Sequence, residues 1–430
     1  MQHTSHNPNR WWIAAAGTLL QLCLGTVYAW SYLKNPLMHT YGWNNTQVTW
    51  VFSLAICCLG LSAAWGGMNL VKIGPRRLAL AGGILFGSGY LLAALALHLK
   101  SLPLLYIGYG VCGGVGLGLG YVTPVATAAK WFPDKKGLIT GMVIMGFGFG
   151  ALIMSKVLLP KLMASSGGNL VTTFIWLGAV FGVITVACGL VLRYPPEDLQ
   201  LPGSPGIGSK TQAQAKCENL TISRCLLSSR FFVIWGVFFC NITAGIAIIG
   251  FLSPMMQDLL KRSDPTLTPI HLDAAGATLI AVGSLFNGIG RFFWGGISDR
   301  IGRVLTFRIL LATQVLAFLA LANVPLPWVF APVVCYVLLC YGGGFGTMPS
   351  LVLDVFGARM MPVVYGTVLT AWSAGGIVGP QIVAWLTDHY GAQRAAPLSF
   401  LVGSGLLGVG FILALLLSNG AFGEASGTRK

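Results

Sequence analysis

The sequence predicts an all-α membrane protein with twelve transmembrane helices in two six-helix bundles. Three observations predict it. The chain is 55% hydrophobic and only 9% charged, with mean hydropathy +0.77, whereas soluble domains carry about 25% charged residues. Its apolar runs are long enough to cross a hydrocarbon core of roughly 30 Å as helices, while a β-barrel would show short alternating segments. One loop pattern also occurs twice, at equivalent places in two halves.

In order, the spans are Trp11–Leu33, Gln47–Leu70, Arg77–His98, Leu102–Thr127, Gly137–Pro160, Leu170–Arg193, Phe231–Gln257, Ala274–Ser298, Val304–Asn323, Trp328–Leu353, Val363–Thr387 and Pro397–Leu417. The first is too long for the apolar core of a signal peptide, so no cleaved leader is expected. The fourth and tenth contain glycine runs that end at Pro124 and Pro349. Such runs let helices approach closely and bend. The GxGxxG-like spacing in the fourth follows no strand, which argues against a nucleotide loop. After the sixth span comes the longest polar stretch, with PPEDLQLPGSPGIGSK inside it, and this reads as a flexible linker. The chain therefore divides into an N-terminal six-helix bundle (1–193), a cytoplasmic linker (194–230) and a C-terminal six-helix bundle (231–430).

The net charge is +15. Eighteen of the 26 Lys and Arg lie on the side that holds both termini. Six lie on the other (Lys34, Lys100, Lys161, Lys261, Arg262, Arg394), and Lys156 and Arg291 lie inside spans. That asymmetry is a topology signal placing both termini in the cytoplasm. It predicts a multi-pass protein of the cell (inner) membrane whose basic face attracts anionic lipid, with no nucleic-acid partner. The ten cysteines show no C-x-x-C spacing and read as small buried hydrophobes. Asn44-Asn45-Thr46 fits a glycosylation sequon, a match common by chance.

The repeated loop is Gly67-x-x-x-Val71-Lys72-x-Gly74 between spans two and three, and Gly295-x-x-x-Asp299-Arg300-x-Gly302-Arg303 between spans eight and nine. It resembles the cytoplasmic-loop signature of the major facilitator superfamily. The resemblance implies the major facilitator fold, and a gating role for Gly295, Asp299, Arg300 and Arg303 at the cytoplasmic side. The blander reading is loop charge that sets topology and caps helices. Val71 stands where the superfamily usually has Asp, so the N-terminal copy lacks that acid.

Arg291 carries the functional expectation. It sits eight residues inside Asp299, about 12 Å along a helix, in the otherwise apolar or small stretch LIAVGSLFNGIGRFFWGGI. A charge at that depth costs about 2.5 to over 10 kcal/mol and marks an interior or a water-filled cavity. Asn287 lies one turn away on the same face. A buried acid could make Arg291 a mere brace, but all eleven acids fall in loops, tails or span ends. The six histidines are likewise peripheral. Arg291 is therefore expected to bind an anion, through a planar fork of donors that matches a carboxylate. Lys156, near Pro160, is expected to snorkel to the outer interface. No nucleophile–base pair or metal cluster is available at depth, so neither an enzyme nor a cofactor is expected. A cation exporter would need a buried acid.

A narrower resemblance rests on Tyr121 with Trp131-Phe132-Pro133-Asp134-Lys135-Lys136-Gly137-Leu138, Asn35-Pro36, Phe286-Asn287-Gly288, Phe292-Phe293-Trp294-Gly295, Pro349-Ser350 with Asp354, Phe356-Gly357 and Tyr365-Gly366. Together these resemble the oxalate/formate antiporter family and the related bacterial monocarboxylate carriers. The resemblance implies transport of small organic anions, with Arg291 central and Tyr28, Tyr121, Tyr341 and Phe345 lining the pocket. The oxalate exchanger has an eleventh-span lysine where this chain has Trp372. One central cation suits one negative charge, because a second unpaired carboxylate costs several kcal/mol to bury. The expected substrate is a monocarboxylate of the lactate, pyruvate, formate or acetate type, moved with a proton or a counter-anion by alternating access in a monomer. The alternatives are an oxalate/formate-type antiporter and a membrane carboxylate sensor that does not transport.

Overall fold

The computed structural model describes residues 9–132, 134, 136–196, 221–324 and 326–417, except the side chains of 136–138, 358, 359 and 362. Most of the expected linker and part of the 131–138 motif lie outside the described residues. What is described is helical throughout, with eleven long apolar helices. They are α1 (Arg10–Tyr41), α2 (Asn45–Ile73), α3 (Pro75–His98), α4 (Leu102–Trp131), α5 (Ile139–Ser165), α6 (Leu170–Val191), α7 (Ser229–Ile249), α8 (Pro269–Ile301), α9 (Arg303–Asn323), α10 (Pro327–Gly357) and a last one, Val363–Leu415. The last is 53 residues long, about 80 Å at 1.5 Å per residue, far beyond one bilayer. Gly391, at φ 72°, ψ 157°, breaks it. The parts 363–390 and 392–415 are α11 and α12, which makes twelve helices of membrane-crossing length among the described residues.

The loop repeat is visible in the backbone. Gly74 ends α2 at φ 86°, ψ 153°, and Gly302 ends α8 at φ 91°, ψ 149°. Both copies use their second glycine for the same left-handed turn, which a side chain would strain.

Within the first six helices, α3 packs on α6 and α4, and α1 packs on α4 and α5. In the second six, α7 touches α11 and α12, and α8 packs along α10. The halves meet along α2–α11 and α5–α8. At α5–α8 the backbones nearly touch: a Cβ on Gly148 would lie 2.4 Å from the Gly288 Cα, so only glycine permits the approach.

Helices run past their apolar cores, and this corrects one expectation. The first span was expected to end at Leu33, which left Lys34 outside it. Lys34 lies inside α1, which continues to Tyr41 and ends at left-handed Gly42, and it is fully buried. Lys156 is exposed, and its Nζ donates to Thr278 Oγ1 at 2.6 Å. It thereby ties α5 to α8 near the end of the bundle opposite the termini (the far end).

Candidate functional site

Four helices bring the expected rings to one point at mid-depth. In α1 the backbone tightens to a 3₁₀ turn over Gly25–Ala29, a local irregularity of the kind that marks functional positions. This turn carries Tyr28. In α4, buried Gln21 of α1 donates from Nε2 to the Tyr121 carbonyl at 2.9 Å, which holds that segment against α1. From α10 come Tyr341 and Phe345, one turn apart, and from α11 comes Trp372. Tyr28 and Tyr341 share a hydroxyl–hydroxyl hydrogen bond of 2.7 Å across the halves. Trp372 stacks edge-on with Phe345 (ring centres 4.7 Å apart) and Tyr121 (5.2 Å), and stands 6.5 Å from Tyr28. The rings expected to line a pocket therefore form a continuous cage.

Arg291 of α8 enters this cage and is 2% exposed. Its guanidinium lies 5.0 Å from the Phe345 ring centre and 5.5 Å from that of Phe147. Nη1 donates to the Ile144 carbonyl at 3.2 Å and, weakly, to the Tyr121 hydroxyl at 3.5 Å. Nε and Nη2 have no hydrogen-bond partner. These two atoms carry the parallel N–H bonds of the side-on fork, the geometry that grips a carboxylate with two bonds. Among the described residues, no carboxylate pairs with Arg291. The Asn287 Oδ1 is also buried without a partner, and the Trp372 indole N–H faces the Tyr341 hydroxyl. Leaving such groups unmet costs about 1–3 kcal/mol each, more when charged.

A residual cavity of about 10 Å³ lies outward of Asn287, lined by Tyr28, Ser284, Leu252 and Leu338 among others. That is room for about one water. The site is closed around Arg291.

Phe147 and the Ile144 carbonyl were not anticipated. Phe147 contacts Tyr28 and Tyr121, both at 5.2 Å between ring centres, and Trp372 at 5.8 Å. It lies in Gly146-Phe-Gly-Phe-Gly150, and nothing in that alternation separates Phe147 from Phe149, which packs on Gly288 instead.

The expected gating residues lie apart from the cage, at the end that holds the termini. Arg303 donates to Asp299, to the Ser298 hydroxyl and, at 3.3 Å, to the Gly295 carbonyl. Its Nε stands 3.6 Å from Asp354. It thus binds the ends of α8 and α10 within the second half, while Arg300 is exposed.

Residues 15–380 match the family model described as Major Facilitator Superfamily. The Oxalate:formate antiporter of Oxalobacter formigenes is 27% identical over 402 residues, covering 92% of this chain and 89% of that protein. Apicoplast pyruvate carrier 1 of Toxoplasma gondii is 26% identical, covering 88% and 82%. Monocarboxylate transporter 12 of Mus musculus is 23% identical, covering 90% and 81%. Among solved structures, a bacterial homolog to the human lysosomal transporter Spinster, inward-facing and unoccupied, gives a TM-score of 0.71 at 14% identity, over 96% of this chain and 97% of that one. This last likeness is one of fold.

Proposed function

The chain belongs to the Major Facilitator Superfamily of membrane transporters, and from that premise we propose that it carries small monocarboxylates by alternating access between its N-terminal (1–193) and C-terminal (231–430) bundles. The observation that carries the reading is the buried Arg291 fork, with Nε and Nη2 free inside an aromatic cage. A carboxylate bound there gains two charge-assisted hydrogen bonds and removes the unpaired charge. Asn287 Oδ1 accepts from a substrate hydroxyl or an acid proton, and the Trp372 N–H meets a second oxygen. Tyr28, Tyr121, Tyr341, Phe345 and Phe147 keep the site small and dry. The similar pyruvate and monocarboxylate carriers support the substrate class.

Trp372 separates this reading from oxalate exchange, which the Oxalobacter relative favours. The indole fills the wall and supplies no second cation. Both faces of the cage come from one chain, so the monomer suffices. The charge asymmetry puts both termini in the cytoplasm of the inner membrane and the far end outside.

A proton accompanies the anion. Asp258 stands just beyond α7 on the wall of a far-end cavity of about 440 Å³. Burial pushes its carboxyl above the usual range, against the pull of Arg262 and Lys261, which makes it a suitable proton acceptor at the rim. The gating residues Asp299, Arg300 and Arg303 with Gly295 steady the cytoplasmic ends of the second bundle while it rocks.

The test is uptake of labelled lactate, formate and oxalate into proteoliposomes, under an imposed pH gradient or with a preloaded counter-anion. Lactate uptake driven by inward protons is expected. Strong oxalate exchange with no lactate uptake would refute the monocarboxylate assignment, and uptake that requires a counter-anion would replace symport by exchange.

A further inference from the structure

Lys34 takes no part in the anion site, yet it is buried as completely as any residue of the cage. It lies six residues beyond Tyr28 in α1, about 9 Å toward the far end. Its Nζ has no hydrogen-bond partner. It rests instead on the face of Phe251, 3.0 Å from the ring centre. Phe251 occupies the break between α7 and the helix Leu252–Ser263, so a cation of the first half is seated on a ring of the second. Around this contact the far end is closed by polar bonds. Asn35 donates to Gln257 Oε1 at 3.0 Å, the Thr46 N–H donates to Asp388 at 2.9 Å, and Gln381 donates to Ser53 at 3.3 Å.

An ammonium is a compact, strongly hydrated charge. Burying it without a hydrogen-bonding oxygen is unfavourable; the charge of Asp388 in α11, which acts on it without an ion-pair contact, and the ring face offset only part of the loss. Because the seat is made by both halves, this burial exists only while the far end is closed. Opening that end rehydrates Lys34.

We propose that Lys34 and Phe251 form a counterweighted gate at the far end: the charge favours opening, the ring favours closing, and their balance sets how readily the carrier turns to that side. Lys34 is thus a positioning residue that acts on the conformational equilibrium, which a two-state carrier translates into apparent affinity on each side. The inference rests on alternating access and not on which anion is carried.

The test is hydrogen–deuterium exchange of the purified protein in nanodiscs without substrate, read on peptides covering 30–41 and 252–263. Lys34→Met is expected to slow exchange in both peptides by tenfold or more, and Phe251→Leu to quicken it. Lys34→Arg should remain within twofold of the unmodified protein. In the Lys34→Met background, adding Phe251→Leu should have little effect, because the ring then has no cation to seat. In liposomes, Lys34→Met should raise the apparent KM for labelled lactate from the far side and lower it from the side of the termini. Quicker exchange in Lys34→Met, or shifts of the same sign in both single variants, would overturn the proposal. So would unchanged exchange in both. The exchange arm contains no substrate, so failure of the monocarboxylate assignment leaves it readable.

Discussion

Replacing Arg291 by Lys separates the charge of the guanidinium from its geometry. The free Nε and Nη2 offer two parallel bonds to a carboxylate. A lysine keeps the charge, but its single ammonium cannot reproduce the planar fork. One charge-assisted bond is then lost, about 1.5–3 kcal/mol, which corresponds to lactate binding weaker by about 10- to 150-fold. Arg291→Ala removes both bonds and the charge, and transport should fall to background. Calorimetric lactate binding in nanodiscs and uptake in proteoliposomes measure both variants, with thermal melting as a check that they fold. The competing role is structural, since Nη1 braces α8 against the Ile144 carbonyl and the Tyr121 hydroxyl. A brace predicts a lower Tm with transport per folded molecule intact. Uptake by Arg291→Ala within twofold of the unmodified protein would refute the anion-site argument.

Four further outcomes are expected. Trp372→Lys adds a second cation to the cage and should raise oxalate uptake relative to lactate by tenfold or more in competition assays. Tyr28→Phe removes the 2.7 Å bond between the halves, worth about 0.5–1.5 kcal/mol. Its expected effect is a shift of up to about tenfold in the ratio of KM values on the two sides. Gly148→Val places a side chain against the Gly288 backbone and should abolish lactate counterflow while the protein still inserts in the membrane. A carboxyl raised by burial, as Asp258 is, takes up its proton at a higher pH than an exposed one. Uptake should then rise on acidifying the far side, and Asp258→Asn should flatten that pH profile.

Much was legible in the sequence because a membrane allows few backbones. With no water to satisfy amides, long apolar runs must be helices, so twelve spans could be read off directly. The loop repeat was equally legible, since Gly74 and Gly302 are needed for one left-handed turn. Arg291 stood out because a charge at mid-depth is rare and expensive. The aromatic cage came from resemblance, and packing alone decided its membership: Phe147 belongs to it and Phe149 does not, although both stand between glycines. Lys34 was placed just outside the first span because apolar composition marks where a helix is greasy and not where it ends. α1 continues to Tyr41, and the facing half covers it there.

By itself, then, the sequence determined the class, the number of spans and the cation expected at mid-depth, because hydrophobicity and charge are properties of single residues. Only the tertiary structure decided which two guanidinium nitrogens are free, which rings enclose them and that the Lys34 ammonium is buried against Phe251. Those facts depend on the distances between α1, α4, α5, α7, α8, α10 and α11, which no local pattern encodes.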